Sequence, residues 1–272
     1  MLATIIGADG GMGRWLRCHL IELGYAVHGF DTRRDDDPSR LCESDLVVIS
    51  VPIDVTRDVI SSISDYISRD TILMEISSLK KGVHGELVSL AEEGVNSLCV
   101  HPMWGPATGS CIGKALAVIP VADTDLEISI ANRLFPGASI IVVDAGEHDR
   151  LMSIILSLPY LVNLALAGCL VDEDLVLLRR LSGTSFASQY VLTQSIVNED
   201  TELVESLLGN QYLDAVSKRL TKNISYLLEA HGTEEFSNIH EELRSSLNRD
   251  PISNEMDKAR RDASAAIQRH WE

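Results

Sequence analysis

The chain has 272 residues, 45% of them apolar, 23% charged and 5% aromatic, and a formal net charge of −17. That length fits one large domain or two modest ones with a true core. The acidic balance excludes a nucleic-acid binder, which needs a basic patch, and disfavours an anionic membrane; an anionic small molecule stays admissible wherever a few cations dominate a cleft. The five cysteines, Cys18, Cys42, Cys99, Cys111 and Cys169, are odd in number, scattered and without CxxC spacing. They read as reduced thiols, with neither a disulfide frame nor a metal site. No basic segment leads into a hydrophobic one at Met1–Ile6, and no run of about 18 apolar residues follows, so the expectation is a soluble, cytoplasmic protein with no membrane partner.

In chain order, the first half alternates short apolar runs with amphipathic segments. Leu2–Ile6, Ala26–Asp31, Leu46–Val51, Thr71–Ile76, Leu98–His101, Leu116–Pro120 and Ser139–Asp144 read as strands. Several are apolar throughout, as strands covered on both faces must be. Arg14–Leu23 carries Leu16, Leu20 and Leu23 at helical spacing before a C-terminal Gly24, and Val55–Ile67 places Val55, Val59, Ile60, Ile63 and Ile67 on one stripe. This rhythm predicts a doubly wound, largely parallel α/β sheet. From His148 the pattern turns helical, with stripes at Leu151, Ile154, Ile155, Leu158, Leu161 and Val162, at Leu203, Leu207 and Leu208, and at Leu213, Val216 and Leu220. The expected domains are 1–145 and an all-α 146–272, with the polar stretch from Pro251 as a peripheral helix.

Between the first strand and first helix stands Gly7-Ala8-Asp9-Gly10-Gly11-Met12-Gly13, where a Rossmann-type dinucleotide fingerprint belongs. Gly10 lets the backbone approach a pyrophosphate, Gly13 lets the helix pack on the strand, and the helix N-terminus offers free N–H groups. The first fingerprint glycine is replaced by Ala8, preceded by Gly7. Asp31 lies 21 positions after Gly10; an acid there bonds the adenosine ribose and repels a 2′-phosphate, which favours NAD. Thr32 adjoins it, and Arg33 and Arg34 leave NADP as the alternative.

Three further segments end later strands, where such sheets hold ligands: Ser50-Val51-Pro52-Ile53, Glu75-Ile76-Ser77-Ser78-Leu79-Lys80 and His101-Pro102-Met103-Trp104-Gly105-Pro106. A histidine just past a buried strand and fixed by proline accepts a proton near neutral pH. Taken alone, His101 is more often structural, and Ser78 reads as a helix N-cap.

These segments, with Ser-Val-Pro-Ile-Asp-Val-Thr-Arg-Asp-Val-Ile at 50–60 and Glu147-His148-Asp149, resemble the prephenate/arogenate dehydrogenase family from Ile5 to about Leu156. The helical half resembles the family's dimerisation domain more weakly. The resemblance implies NAD(P)-dependent hydride transfer from the ring C–OH of prephenate or arogenate with loss of the ring carboxylate, in tyrosine biosynthesis, by a homodimer. It makes His101 the proton acceptor, Ser78 its orienting partner, and Val51 and Pro52 part of the nicotinamide pocket. Acid should then stop activity near pH 6.5, about the ordinary histidine value. Glu147-His148-Asp149 is expected to cap the interdomain helix. At two points the chain departs from the family: a family histidine falls at Tyr160, and the arginine for the substrate carboxylate falls at Ser195, beside Gln194. Lys80, Arg150 and Arg219 are the candidate replacement cations. A related oxidoreductase on a modified prephenate-like ring, and a non-catalytic cofactor-binding paralogue, are the alternatives.

Overall fold

The computed structural model describes residues 1–31 and 36–271. The chain divides into two compact units, Met1–Met152 and Ser153–Glu272. Thr32, Arg33 and Arg34 lie outside the described residues.

The first unit is built on a seven-stranded sheet. Its strands are β1 (Leu2–Ile6), β2 (Ala26–Phe30), β3 (Leu46–Ile49), β4 (Ile72–Glu75), β5 (Asn96–Pro102), β6 (Ala115–Ile119) and β7 (Ser139–Val142), in the order β2-β1-β3-β4-β5-β6-β7. All neighbours are parallel except β5 and β6. Alternate residues feed two cores, which is why these strands look uniformly apolar in sequence. Ala3, Ile5, Val48, Met74, Leu98 and Val100 join one core, with Leu16 and Leu20 of α1 (Gly11–Glu22) and Ile130 and Leu134 of α4 (Thr124–Leu134). Ile6, Val47, Ile49, Leu73 and Cys99 join the other, with Ile60 of α2 (Ile53–Ile63) and Leu87 of α3 (Val83–Glu92).

The strand order changes direction at β1: β2 lies on one side and β3 on the other. The loops after β1 and β3 therefore flank a topological switch point, the ligand crevice of open α/β sheets. The expected C-terminal stop of α1 is present, with Gly24 at φ +87 and its N–H on Ile21 O. A short helix, α5 (Ala145–Met152), closes this unit. It stays with the sheet because its His148 and Asp149 side chains bond residues beyond β4 and within β5.

The second unit holds only helices among its described residues: a π-helical turn at Ser153–Ser157, then α6 (Leu158–Leu170), α7 (Leu175–Leu181), α8 (Thr184–Val197), α9 (Thr201–Leu208), α10 (Leu213–Ala230), α11 (Glu234–Leu247) and α12 (Ser253–Trp271). Pro159, which has no N–H, lies in the first turn of α6, just past the π turn, and cannot donate to its ladder. Aspartates start two helices: Asp174 accepts from Val176 N and Leu177 N, and Asp200 accepts from Glu202 N. Buried Asn163 ties α6 to α8, accepting from Gln189 Nε2 at 2.6 Å and Thr193 Oγ1 at 2.7 Å.

Candidate active site

The glycine loop is shaped by close approach. Gly7 has φ +83, and its N–H donates to Phe30 O at 3.2 Å. A Cβ on Gly7 would overlap the Ser50 carbonyl oxygen after β3, and one on Gly13 would overlap the Gly7 carbonyl oxygen. Gly7 thus takes the tight-turn role that the fingerprint usually gives to the position of Ala8. Gly10 caps α1 with no side-chain hydrogen bond, and the first turn of α1 holds no acid. The N–H groups of Gly11, Met12 and Gly13 therefore stay available to an anion. Asp9 is exposed beside them, and Arg14 donates to its carbonyl. Asp31 follows β2, half-buried, with its N–H on Asp36 Oδ2 at 2.9 Å. Across the switch point, half-buried Val51 faces Gly7, and Pro52 opens α2.

His101 sits near the carboxyl end of β5 and is 5% exposed. Its Nδ1 lies 3.0 Å from Nε2 of His148, and His148 Nδ1 lies 3.0 Å from Asp149 Oδ1. Asp149 also accepts the backbone N–H groups of Lys80 at 2.8 Å and Lys81 at 2.9 Å. Burial holds the His101 imidazole well below its ordinary pKa, with the Lys80 ammonium and His148 acting in the same direction. His101 is thus a neutral ring at physiological pH. The imidazolium is disfavoured to lower pH than in an ordinary histidine, because burial strips it of solvent.

Lys80 is not a free cation. Its side chain is wholly buried, and Nζ donates to Glu75 Oε2 and to Val100 O, each at 2.7 Å. Glu75 also accepts from Ser77 N and from the Cys99 thiol. These bonds pin the 75–81 loop beneath His101 and correct the expectation of a substrate contact at Lys80. Ser78 is half-buried at the end of β4, beside β5, and its hydroxyl makes no hydrogen bond among the described residues. It does not cap a helix, since α3 begins at Val83 after Gly82. His148 holds Nδ1 of His101, and no hydrogen bond joins Ser78 to His101 among the described residues. In sequence, Glu147-His148-Asp149 predicts only a cap, and the adjacency of His148 to the acid is the one signal that hints at more.

The remaining candidates belong to the second unit. Tyr160 is half-buried on α6; burial, and then the Glu199 carboxylate, raise its pKa. Gln194 and Ser195 are exposed on α8, with Gln194 Nε2 on Tyr190 Oη at 3.0 Å. Arg219 is exposed on α10. In the first unit, Arg150 is paired with Glu147 at 2.6 Å.

The sequence model described as "Prephenate dehydrogenase, nucleotide-binding domain" matches residues 20–134. The match starts within α1, so the glycine loop stands on its own geometry. A probable arogenate/prephenate dehydrogenase of Methanocaldococcus jannaschii is 27% identical over 191 residues, covering 62% of this chain and 42% of that protein. A T-protein of Enterobacter agglomerans is 27% identical over 211 residues, 75% of this chain and 55% of that protein. The chain thus spans about half the length of the curated relatives it matches. Among solved structures, Synechocystis arogenate dehydrogenase superposes with a TM-score of 0.68 at 17% identity, covering 95% of this chain and 100% of that one. Prephenate dehydrogenase from A. aeolicus, in complex with hydroxyphenyl propionate and NAD+, gives 0.66 at 17% identity, covering 92% and 98%. The chain shares its parallel-dominated sheet and helical C-terminal part with these two solved dehydrogenases, and residues 20–134 are similar to the nucleotide-binding domain of prephenate dehydrogenases.

Proposed function

We propose that the chain is an NAD-dependent dehydrogenase that oxidatively decarboxylates prephenate or arogenate in tyrosine biosynthesis. The observation that carries this reading is a buried, neutral histidine at the carboxyl end of β5, in the same sheet as an unsatisfied helix N-terminus shaped for a pyrophosphate. His101 accepts the ring hydroxyl proton as hydride leaves the same carbon. Ser78, with its hydroxyl uncommitted, bonds that ring oxygen. Gly7, Ala8, Asp9, Gly10, Gly11, Met12 and Gly13 hold the dinucleotide, Asp31 its ribose, and Val51 and Pro52 the nicotinamide. Thr32 and Arg33 complete the adenosine end, and Arg33 is the route by which NADP could be accepted. Tyr160, Gln194 and Ser195 bear on the substrate's carboxylate end.

The working form is a homodimer, and the compartment is the cytoplasm. In support, Val171, Leu181 and Leu228 are 77%, 76% and 72% exposed in the isolated chain. The helical stretch Ala145–Leu170 is long and apolar enough to cross a membrane by length and composition, and most of its apolar face is uncovered in the isolated chain. Its first turns carry His148 and Asp149, which bond residues of the sheet unit, so a second copy of the chain is the fitting cover for its apolar face. The test is turnover of prephenate and arogenate with NAD and with NADP, read by absorbance of the reduced cofactor, together with sedimentation at micromolar concentration. No reduction of either cofactor with either ring would overturn the activity, and a monomer would overturn the assembly.

A further inference from the structure

We propose that His148, backed by Asp149, is a positioning residue for the base: it fixes His101 with the proton on Nδ1 and Nε2 free, then takes over the proton that His101 cannot keep. The inference rests on the dehydrogenase reading for its second half; the tautomer half stands without it.

The tautomers follow from the partners. Asp149 is anchored by the backbone N–H groups of Lys80 and Lys81, and it faces Nδ1 of His148 at 3.0 Å. Beside a carboxylate, that nitrogen carries the hydrogen, so Nε2 of neutral His148 is an acceptor. Nε2 in turn faces Nδ1 of His101 at 3.0 Å, and a hydrogen bond there requires the hydrogen on His101 Nδ1. His101 Nε2 is left with a lone pair and no hydrogen-bond partner among the described residues. A buried imidazole without this pair would divide between two tautomers, one of which has no lone pair at Nε2.

The same geometry disposes of charge. When the ring hydroxyl gives its proton to His101 Nε2, two electrons leave the carbinol carbon as hydride to the nicotinamide and a ring ketone forms. As the ring carboxylate departs as carbon dioxide, the electron pair of the broken C–C bond passes through the ring to the ketone oxygen, which takes the proton back to become the phenol. Until that return the charge stays with the histidine pair. His101 is then a buried cation near the Lys80 ammonium, an unfavourable place even with Glu75 opposite that ammonium. Passing the Nδ1 proton to His148 Nε2 makes His101 neutral again and puts the imidazolium against Asp149. The charged and titratable groups around the pair are Glu75 at the end of β4, Lys80 on the loop after it, Cys99 on β5, and His148 and Asp149 on α5. Of these, Asp149 is the anion in contact with a ring. Both rings are almost fully buried, so solvent does little to stabilise the charge.

Two measurements test this. Nitrogen-15 imidazole spectra of the unaltered full-length chain at neutral pH, without substrate, should show both His101 and His148 protonated on Nδ1 and bare on Nε2; a His101 hydrogen on Nε2 overturns the proposal. His148→Phe removes the acceptor, whereas His148→Gln keeps an acceptor oxygen that cannot take the proton. We expect kcat to fall about 100-fold in His148→Phe and about 10-fold in His148→Gln, with KM and the NAD Kd within about threefold of wild type. The acid limb of the kcat profile should move in His148→Phe and stay nearer wild type in His148→Gln. Wild-type kcat in His148→Phe, or equal losses in both variants with KM and Kd rising together, overturns the proposal. Should His148→Phe not fold, the spectra and His148→Gln decide. Wild-type turnover, scored separately, decides the dehydrogenase reading.

Discussion

Replacing Lys80 by Met separates a structural lysine from a substrate-binding one. Methionine keeps most of the aliphatic length but removes the ammonium, which is wholly buried and bonded to Glu75 Oε2 and Val100 O at 2.7 Å each. Glu75 is equally buried, and in the variant it keeps only neutral donors, Ser77 N and the Cys99 thiol. Breaking a buried pair on one side costs about 3–5 kcal/mol, because the partner charge is left uncompensated. Replacing both partners by apolar or neutral groups of similar volume is far milder, so Glu75→Gln/Lys80→Met should recover at least about half of that loss. Urea unfolding followed by circular dichroism, with the two singles and the double in one cycle, reads the energy. Steady-state kinetics on the folded fraction reads the rest. A Lys80→Met enzyme within about 0.5 kcal/mol of wild type, with a raised KM for the ring substrate, would refute the reasoning and return Lys80 to the substrate.

Acid should stop activity below pH 6.5, not at it, since His101 must be neutral to accept a proton and its folded pKa is depressed by burial; a kcat profile with its acid midpoint at 6.5 or above would contradict this. The same depression has a stability consequence. The unfolded chain takes up the His101 proton at higher pH than the folded one does, so this contribution is full above the unfolded value of about 6.5 and is lost as pH falls toward the folded one, by about 1.4 kcal/mol for each pH step of one between the two values. Unfolding midpoints measured across that range should show the slope, and His101→Phe should flatten it. Gly13→Val should destabilise by about 1–3 kcal/mol and abolish NAD binding, because its Cβ overlaps the Gly7 carbonyl oxygen and α1 must shift away from β1; calorimetry with unchanged NAD affinity would sink the close-approach argument. Iodoacetamide should label the exposed Cys18, Cys42 and Cys169 in the native protein and spare Cys99, whose thiol is buried and pushed far above its ordinary pKa; rapid labelling of Cys99 would contradict its burial.

The seven strands were legible in sequence because each is a short apolar run with turn residues on either side, and a strand covered on both faces leaves no other pattern. The glycine loop was legible because a backbone turn with no room for a Cβ can be written only in glycine. The all-helical second half was readable from its stripes, since helical period is a local property of the chain. The pairings of the candidate site were not local. His101 and His148 are 47 residues apart and Lys80 and Asp149 are 69 apart, and they meet through the order of strands and the docking of α5. Sequence showed Lys80 as a charge in a loop; only the sheet decided that this charge would be buried against Glu75, beneath the histidine. Likewise Glu147-His148-Asp149 reads as a capped helix start in one dimension. Its bonds to His101 and to the loop after β4 depend on which amides and rings the fold brings together, and hydrogen bonds across such chain distances exist only once the tertiary structure has paid the entropy of assembling them.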